Sequence, residues 1–177
     1  ASSITTTNCS GEAAAIFKDT GSYIRILNNS AFEPTAAITT SCWAYSSNWE
    51  DTDPGRLFSC TEGGGYGMAM ISGKMGWYCD IDGYNAAEVN LSTLSAGWHH
   101  FAGTSDGQYN KLYIDGALIT TAGPGSSGNA IAYNRRDLLI AAEPDGSNVA
   151  GSFTFGEQAN GRIADVRIYS TALTLAT

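Results

Sequence analysis

The chain has 177 residues, 43% of them hydrophobic, and a net charge of −8, so it can bury a core of its own and lacks the charge for phosphate-backbone attraction. Charged residues make up only 15%, and Ser, Thr, Asn and 21 Gly supply much of the polar remainder. Lys and Arg total 9, no basic cluster exceeds the pair Arg135 and Arg136, and no stretch approaches the ~20 apolar residues of a membrane span, which excludes nucleic acid and membrane insertion.

In chain order, the sequence reads as short strands between Gly, Ser, Asn and Asp clusters. Ile24 and Ile26 alternate with Tyr23, Arg25 and Leu27. Residues 38–45 are rich in β-formers and end at the polar run 46–55, and residues 57–60 form a short apolar strand. Residues 66–71 and 75–81 flank Ser72, Gly73 and Lys74, which predicts a hairpin. Residues 98–103 and 111–114 follow, with Asp106-Gly107 and Asp115-Gly116 supplying dipeptides that tolerate the positive φ of tight turns. Residues 120–128, TTAGPGSSG, predict a surface loop. Residues 138–142 form another strand, residues 143–160 the last long loop, and residues 161–173 the closing strand. In that strand Ala164, Val166 and Ile168 are expected on one face and Asp165, Arg167 and Tyr169 on the other.

Two segments carry a family resemblance: 97–118, GWHHFAGTSDGQYNKLYIDGAL, and 161–173, GRIADVRIYSTAL. A Trp-His-His strand before a Tyr-Ile-Asp-Gly hairpin, closed by a late Gly-Arg-Ile-x-Asp-Val-Arg-Ile-Tyr strand, resembles laminin-G-like members of the concanavalin A-like lectin/glucanase superfamily. The likeness runs from about residue 13 to 173 and also favours a strand, not a helix, at residues 12–15. It implies an all-β fold, an antiparallel two-sheet β-sandwich of jelly-roll type, formed by residues 1–177 as a single domain. That superfamily holds lectins, adhesion modules, glycosidases, lyases and structural proteins, so function has to be argued from sites.

Four cysteines, Cys9, Cys42, Cys60 and Cys79, permit two disulfides in any of three connectivities or buried free thiols, and at least one bridge is expected. His99 and His100 are adjacent on a strand, so they point to opposite faces, one packed and one on the sheet surface. Glycoside cleavage needs paired carboxylates facing one cleft. Glucanases of the superfamily carry these as Glu-x-Asp-x-x-Glu on one strand. Here Glu50, Asp51 and Asp53 run into Pro54-Gly55, and Asp80 and Asp82 run into Gly83, so no catalytic residue is assigned.

Asp80, Asp82 and Asn85 group three oxygen side chains around a Gly turn, a donor set suited to calcium; the resemblance implies calcium at a loop rim, and plain turn capping is the competing reading. Sugar recognition uses aromatic faces framed by polar groups. Trp43, Trp77 and Trp98 lie in strand patterns and are expected in the core, whereas Trp49 stands in a polar loop beside Asp51 and Asp53, with Tyr84 and Tyr109 also in loops. These five residues are the candidate ligand site, and a loop aromatic folded back to cap the sandwich is the competing reading. The expected function is a non-catalytic module binding glycans or cell-surface polymers through edge loops, at an extracellular or virion surface. The alternative is a structural protein decorating a virus particle or fibre, with other virion subunits as partners.

Overall fold

In the computed structural model the described residues are 5–9, 12–18, 21–49, 55–81, 83–125, 130–145, 155–156, 158 and 159–174. They form an antiparallel two-layer β-sandwich, with one turn of 3-10 helix at Ser30–Phe32 and no α-helix among them. The strands of the first half are β1 (Thr5–Cys9), β2 (Glu12–Phe17), β3 (Ile24–Ile26), β4 (Ile38–Ser46), β5 (Gly55–Cys60), β6 (Tyr66–Ile71), β7 (Lys74–Asp80) and β8 (Tyr84–Asn90). Those of the second half are β9 (Gly97–Ser105), β10 (Asn110–Ile114), β11 (Ala117–Ala122), β12 (Leu138–Ile140), β13 (Glu143–Pro144), β14 (Phe155–Gly156) and β15 (Gly161–Tyr169). One layer has seven strands in the order β1-β2-β15-β4-β9-β10-β11, the other six in the order β3-β12-β5-β6-β7-β8, and β13 pairs with β14. Sequence neighbours separated by long crossings, such as β15 between β2 and β4, give the jelly-roll character expected from the resemblance.

The tight turns form where Asp-Gly and Ser-Gly stand. Ser72 and Gly73 have φ of 51° and 77°, and Asp115 and Gly116 have 50° and 79°, the paired positive values of a twist-matched two-residue hairpin. Asp106 closes the β9–β10 connection by accepting from the Gln108 and Tyr109 amides at 3.0 and 2.7 Å. β1, β8 and β11 fall where polar and small residues mask the alternation, and β11 extends into the region expected to be loop.

Period-two burial builds the core. On β4, Ile38, Thr40, Cys42 and Ala44 face the second layer, and on β9 His99, Phe101, Gly103 and Ser105 do the same. Trp77 of β7 crosses the gap and lies against Gly103, where a Cβ would sit 2.2 Å from the indole. Its Nε1–H donates to the Thr104 carbonyl at 3.2 Å, so the ring is buried with its polar atom satisfied.

Two expectations are overturned. Cys42, Cys60 and Cys79 are buried free thiols, so the expected disulfide is not formed. Burial pushes the Cys60 and Cys79 thiols up to about 12 and Cys42 further, which leaves all three without thiolate at neutral pH. The closing strand also breaks its alternation. Two residues of β15 oppose Cys42 between the pairs Ala164 with Trp43 and Arg167 with Ser41, with Asp165 at φ 52°. The extra residue leaves Ile163, Val166 and Ile168 on the core side and turns Ala164 outward against Ala14, Trp43 and Trp98.

Candidate functional site

The outer face of the seven-stranded sheet carries a row of large rings. Trp43 and His100 are cross-strand partners with ring centroids 5.3 Å apart, and Tyr45 and Trp98, the next pair on that face, meet edge to face at 5.6 Å. Trp43 and Trp98 are therefore not core residues as their strand patterns suggested; both are half-buried, seated on the small side chains of Ala14 and Ala164. Their positions are the odd ones of β4 and the even ones of β9, opposite in parity to Cys42, Ala44 and Phe101. The sequence shows that alternation but not which parity faces in, because both sets are apolar.

Beside this row lies a groove of about 590 Å³. Trp43, His100, Tyr113 and Tyr169 supply rings, and Thr39, Ser41 and Thr104 supply hydroxyls. The β15 bulge supplies charge: Arg167 Nε donates to Asp165 Oδ1 at 2.7 Å and the guanidinium also bonds the Tyr169 side chain. Both partners push the guanidinium, a permanent cation in any case, further up, and the Asp165–Arg167 pair lies exposed at the rim. The C-terminal segment closes one side, with the Thr39 hydroxyl donating to the Thr171 carbonyl at 2.7 Å and accepting the Leu173 amide at 2.8 Å.

The two histidines split as expected. His100 faces the groove, and burial holds it below its ordinary value, against the pull of Asp115 and Asp165, so it is neutral at pH 7. His99 faces inward at 8% exposure. Its Nδ1 lies 2.6 Å from Asp115 Oδ2 and its Nε2 2.9 Å from the Ser95 carbonyl, with the Ser95 hydroxyl at 3.4 Å. Burial pushes the Asp115 carboxyl up, but the hydrogen bonds from His99 and from the His100 amide outweigh it and hold it low. Serine, histidine and carboxylate thus stand in a line, yet Nε2 is turned to a carbonyl and the ring is packed under Trp49 and Phe101. The arrangement staples the β10–β11 turn to β9, and His99 Nε2 is engaged by the Ser95 carbonyl, so it is not placed to take a proton from the exposed Ser95 hydroxyl.

The loop site expected from the sequence is dispersed. Trp49 is 2% exposed, folded back with its ring 5.2 Å from Phe101 and 5.8 Å from His99, so it is a core cap and not a surface platform. Asp51 and Asp53 lie outside the described residues. Tyr84 opens β8 instead of standing in a loop, and its hydroxyl donates to the Gly64 carbonyl at 2.6 Å and accepts the Gly64 amide at 2.9 Å. Tyr109 precedes β10 at the other end of the seven-stranded sheet from Trp49. Of the calcium set, Asp82 lies outside the described residues; Asp80 Oδ1 accepts the Gly83 amide at 2.9 Å, and the Asn85 amide donates to the Ile81 carbonyl at 3.0 Å. Asp80 and Asn85 therefore each commit a polar atom to closing the turn.

A laminin G family model, described as the concanavalin A-like lectin/glucanases superfamily, matches residues 18–177. The chain belongs to that superfamily. No curated protein matches it in sequence. Among solved structures it is similar to the botulinum neurotoxin serotype D ligand binding domain in complex with N-acetylneuraminic acid, with a TM-score of 0.67 at 16% identity over 91% of this chain and 39% of that one. It is similar to the heptameric SAP-like pentraxin from Limulus polyphemus, with a TM-score of 0.67 at 15% identity over 91% of this chain and 76% of that one. It is also similar to the binding domain of Paraclostridial Mosquitocidal Protein 1, with a TM-score of 0.69 at 16% identity over 97% of this chain and 43% of that one. The chain thus spans less than half of the neurotoxin and the mosquitocidal-protein domains, and identities this low carry the fold alone.

Proposed function

We propose that this superfamily member is a non-catalytic recognition module that binds glycans or a cell-surface polymer outside the cell, through the groove on the outer face of the seven-stranded sheet. The observation that carries the reading is that groove: about 590 Å³, within the size range of small-molecule sites, with four aromatic or imidazole rings, four Ser and Thr hydroxyls and an Asp–Arg pair. Rings stack on the apolar face of a pyranose, and a carboxylate beside a guanidinium accepts from and donates to neighbouring sugar hydroxyls. Among its lining residues Asp165 is the one carboxylate, whereas glycoside hydrolysis calls for two. The toxin domain seen with N-acetylneuraminic acid, which this chain matches over 39% of that chain's length, supports a binding role without naming a ligand here.

A glycan array with and without calcium tests this, followed by W43A. Retention of an oligosaccharide that W43A loses while its circular dichroism stays native supports the reading; no retention at millimolar ligand sinks it. The calcium arms test the Asp80, Asp82 and Asn85 turn, where a calcium ion would need six to eight oxygens.

A second reading, a structural subunit on a virus particle or fibre, is favoured by the buried free thiols, which suit assembly in a reducing compartment, and by β11. That edge strand is uncharged and exposes Leu118 and Ile119. Size exclusion separates the two, since a structural subunit associates with itself or its partner at micromolar concentration and a recognition module runs as a monomer.

A further inference from the structure

The geometry points to a second ligand site, at the end of the sandwich, that takes the carboxylate of an acidic sugar. A groove of about 420 Å³ opens where the end of β2, the start of β15 and the end of β4 with its turn converge. It shares no lining residue with the groove on the sheet face. Arg162 pairs in register with Ile16 on one side and Tyr45 on the other, and its guanidinium lies over the Tyr45 ring, 4.5 Å from the centroid. Lys18 follows Ile16 by two residues and lines the same groove.

At least five of this chain's nine Lys and Arg side chains are ion-paired, and of the rest Arg162 and Lys18 are the two that line one groove. Arg25, Arg56, Lys74, Lys111 and Arg167 each sit beside a carboxylate, at 2.6, 2.8, 3.4, 3.9 and 2.7 Å. Among the described residues neither Arg162 nor Lys18 has such a partner, in a protein of net charge −8. The aromatic contact occupies one face of the Arg162 guanidinium and leaves its N–H edge for a planar anion.

Trp49 is not part of this groove and borders a separate cavity of about 10 Å³, room for a water at most. Ammonium and guanidinium both donate and neither accepts, so together they ask for an acceptor with more than one oxygen. A carboxylate meets that demand. The polar side chains of Ser47 and Asn160 at the rim, with the Trp98 ring packed on Tyr45, suit the hydroxyls and apolar face of the sugar that bears it.

Calorimetric titration of the whole protein with a trigalacturonate and with sialyllactose, each against its methyl ester, tests the site. The acid form of at least one probe is expected to bind at least about tenfold more tightly than its ester, and to weaken as salt rises. R162Q is expected to bring the acid down to the affinity of the ester, with K18Q as the second variant because Lys18 is exposed and its loss leaves the fold untouched. W43A, outside this groove, is expected to leave acid binding unchanged, so failure at the sheet face and failure here are read separately. Equal binding of acid and ester for both probes, no binding by either acid, or wild-type acid affinity in both R162Q and K18Q overturns the proposal.

Discussion

On the inner face of the seven-stranded sheet, Cys42, Ala44, Phe101 and Leu112 are sealed against the second layer, whereas on the outer face Trp43, Tyr45, Trp98 and Tyr113 stay half-buried. The two sets come from the same strands at positions of opposite parity, and the outer set has the larger side chains. Size and hydrophobicity therefore do not mark the core in this protein. The inner face uses small or thin residues because Trp77, Met68 and Phe58 of the opposite layer need the volume; the outer face has no layer above it and can hold rings upright. What distinguishes the faces is the partner, and large apolar surface left without one reads as a binding surface.

Substituting the two kinds of tryptophan breaks the comparison most sharply. W77A is expected to cost about 3–5 kcal/mol, since it removes a fully buried ring, while W43A costs about 1 kcal/mol and removes ligand binding. Urea unfolding of both checks it, and equal losses would place Trp43 in the core after all. G103A comes next: its Cβ would meet the Trp77 ring at 2.2 Å, so about 1–3 kcal/mol is expected from overpacking, and W77L combined with it should recover part of that loss.

Acid sharpens the comparison further, because one sensor, His100, stands on the outer face of β9 and the other, Asp115, sits in the β10–β11 turn bonded to the inward-facing His99. Burial holds His100 below its ordinary 6.5, and the bonds to His99 and the His100 amide hold Asp115 below its ordinary 3.8. Both folded values lie beneath the unfolded ones. Stability is therefore whole above the ordinary His value and declines as pH falls through the folded value of His100, then through that of Asp115. Melting midpoints from neutral pH to about pH 3 are expected to fall in two steps, and H100Q should erase the upper step alone. The smallest effect concerns the thiols: Cys42, Cys60 and Cys79 are expected to resist alkylation in the native protein and to react only after denaturation, as read by site-resolved mass spectrometry.

Much of this fold was legible. Asp115-Gly116 and Ser72-Gly73 marked hairpins because few residues adopt positive φ without strain, and the structure turns at both. Adjacent His99 and His100 had to diverge on a strand, and they do. The site was less legible. Trp49 sits in polar sequence, which fits an exposed platform and a folded-back cap alike; only the return of the chain over Phe101 decides for the cap. Trp43 and Trp98 looked buried because strand periodicity separates two faces without saying which meets the second layer. The break in β15 is carried by Asp165, an ordinary residue in an otherwise regular alternation, and only the register against β4 exposes it.

Local sequence, then, determined the strands, the turns and the family, because backbone conformational preference and alternation act over a few neighbouring residues. Tertiary structure decided which face of each strand is covered, where Arg162 and Lys18 meet, and that three cysteines stay unbridged. Those outcomes depend on which segments stack across the sandwich, and that is set by packing between residues distant in the chain.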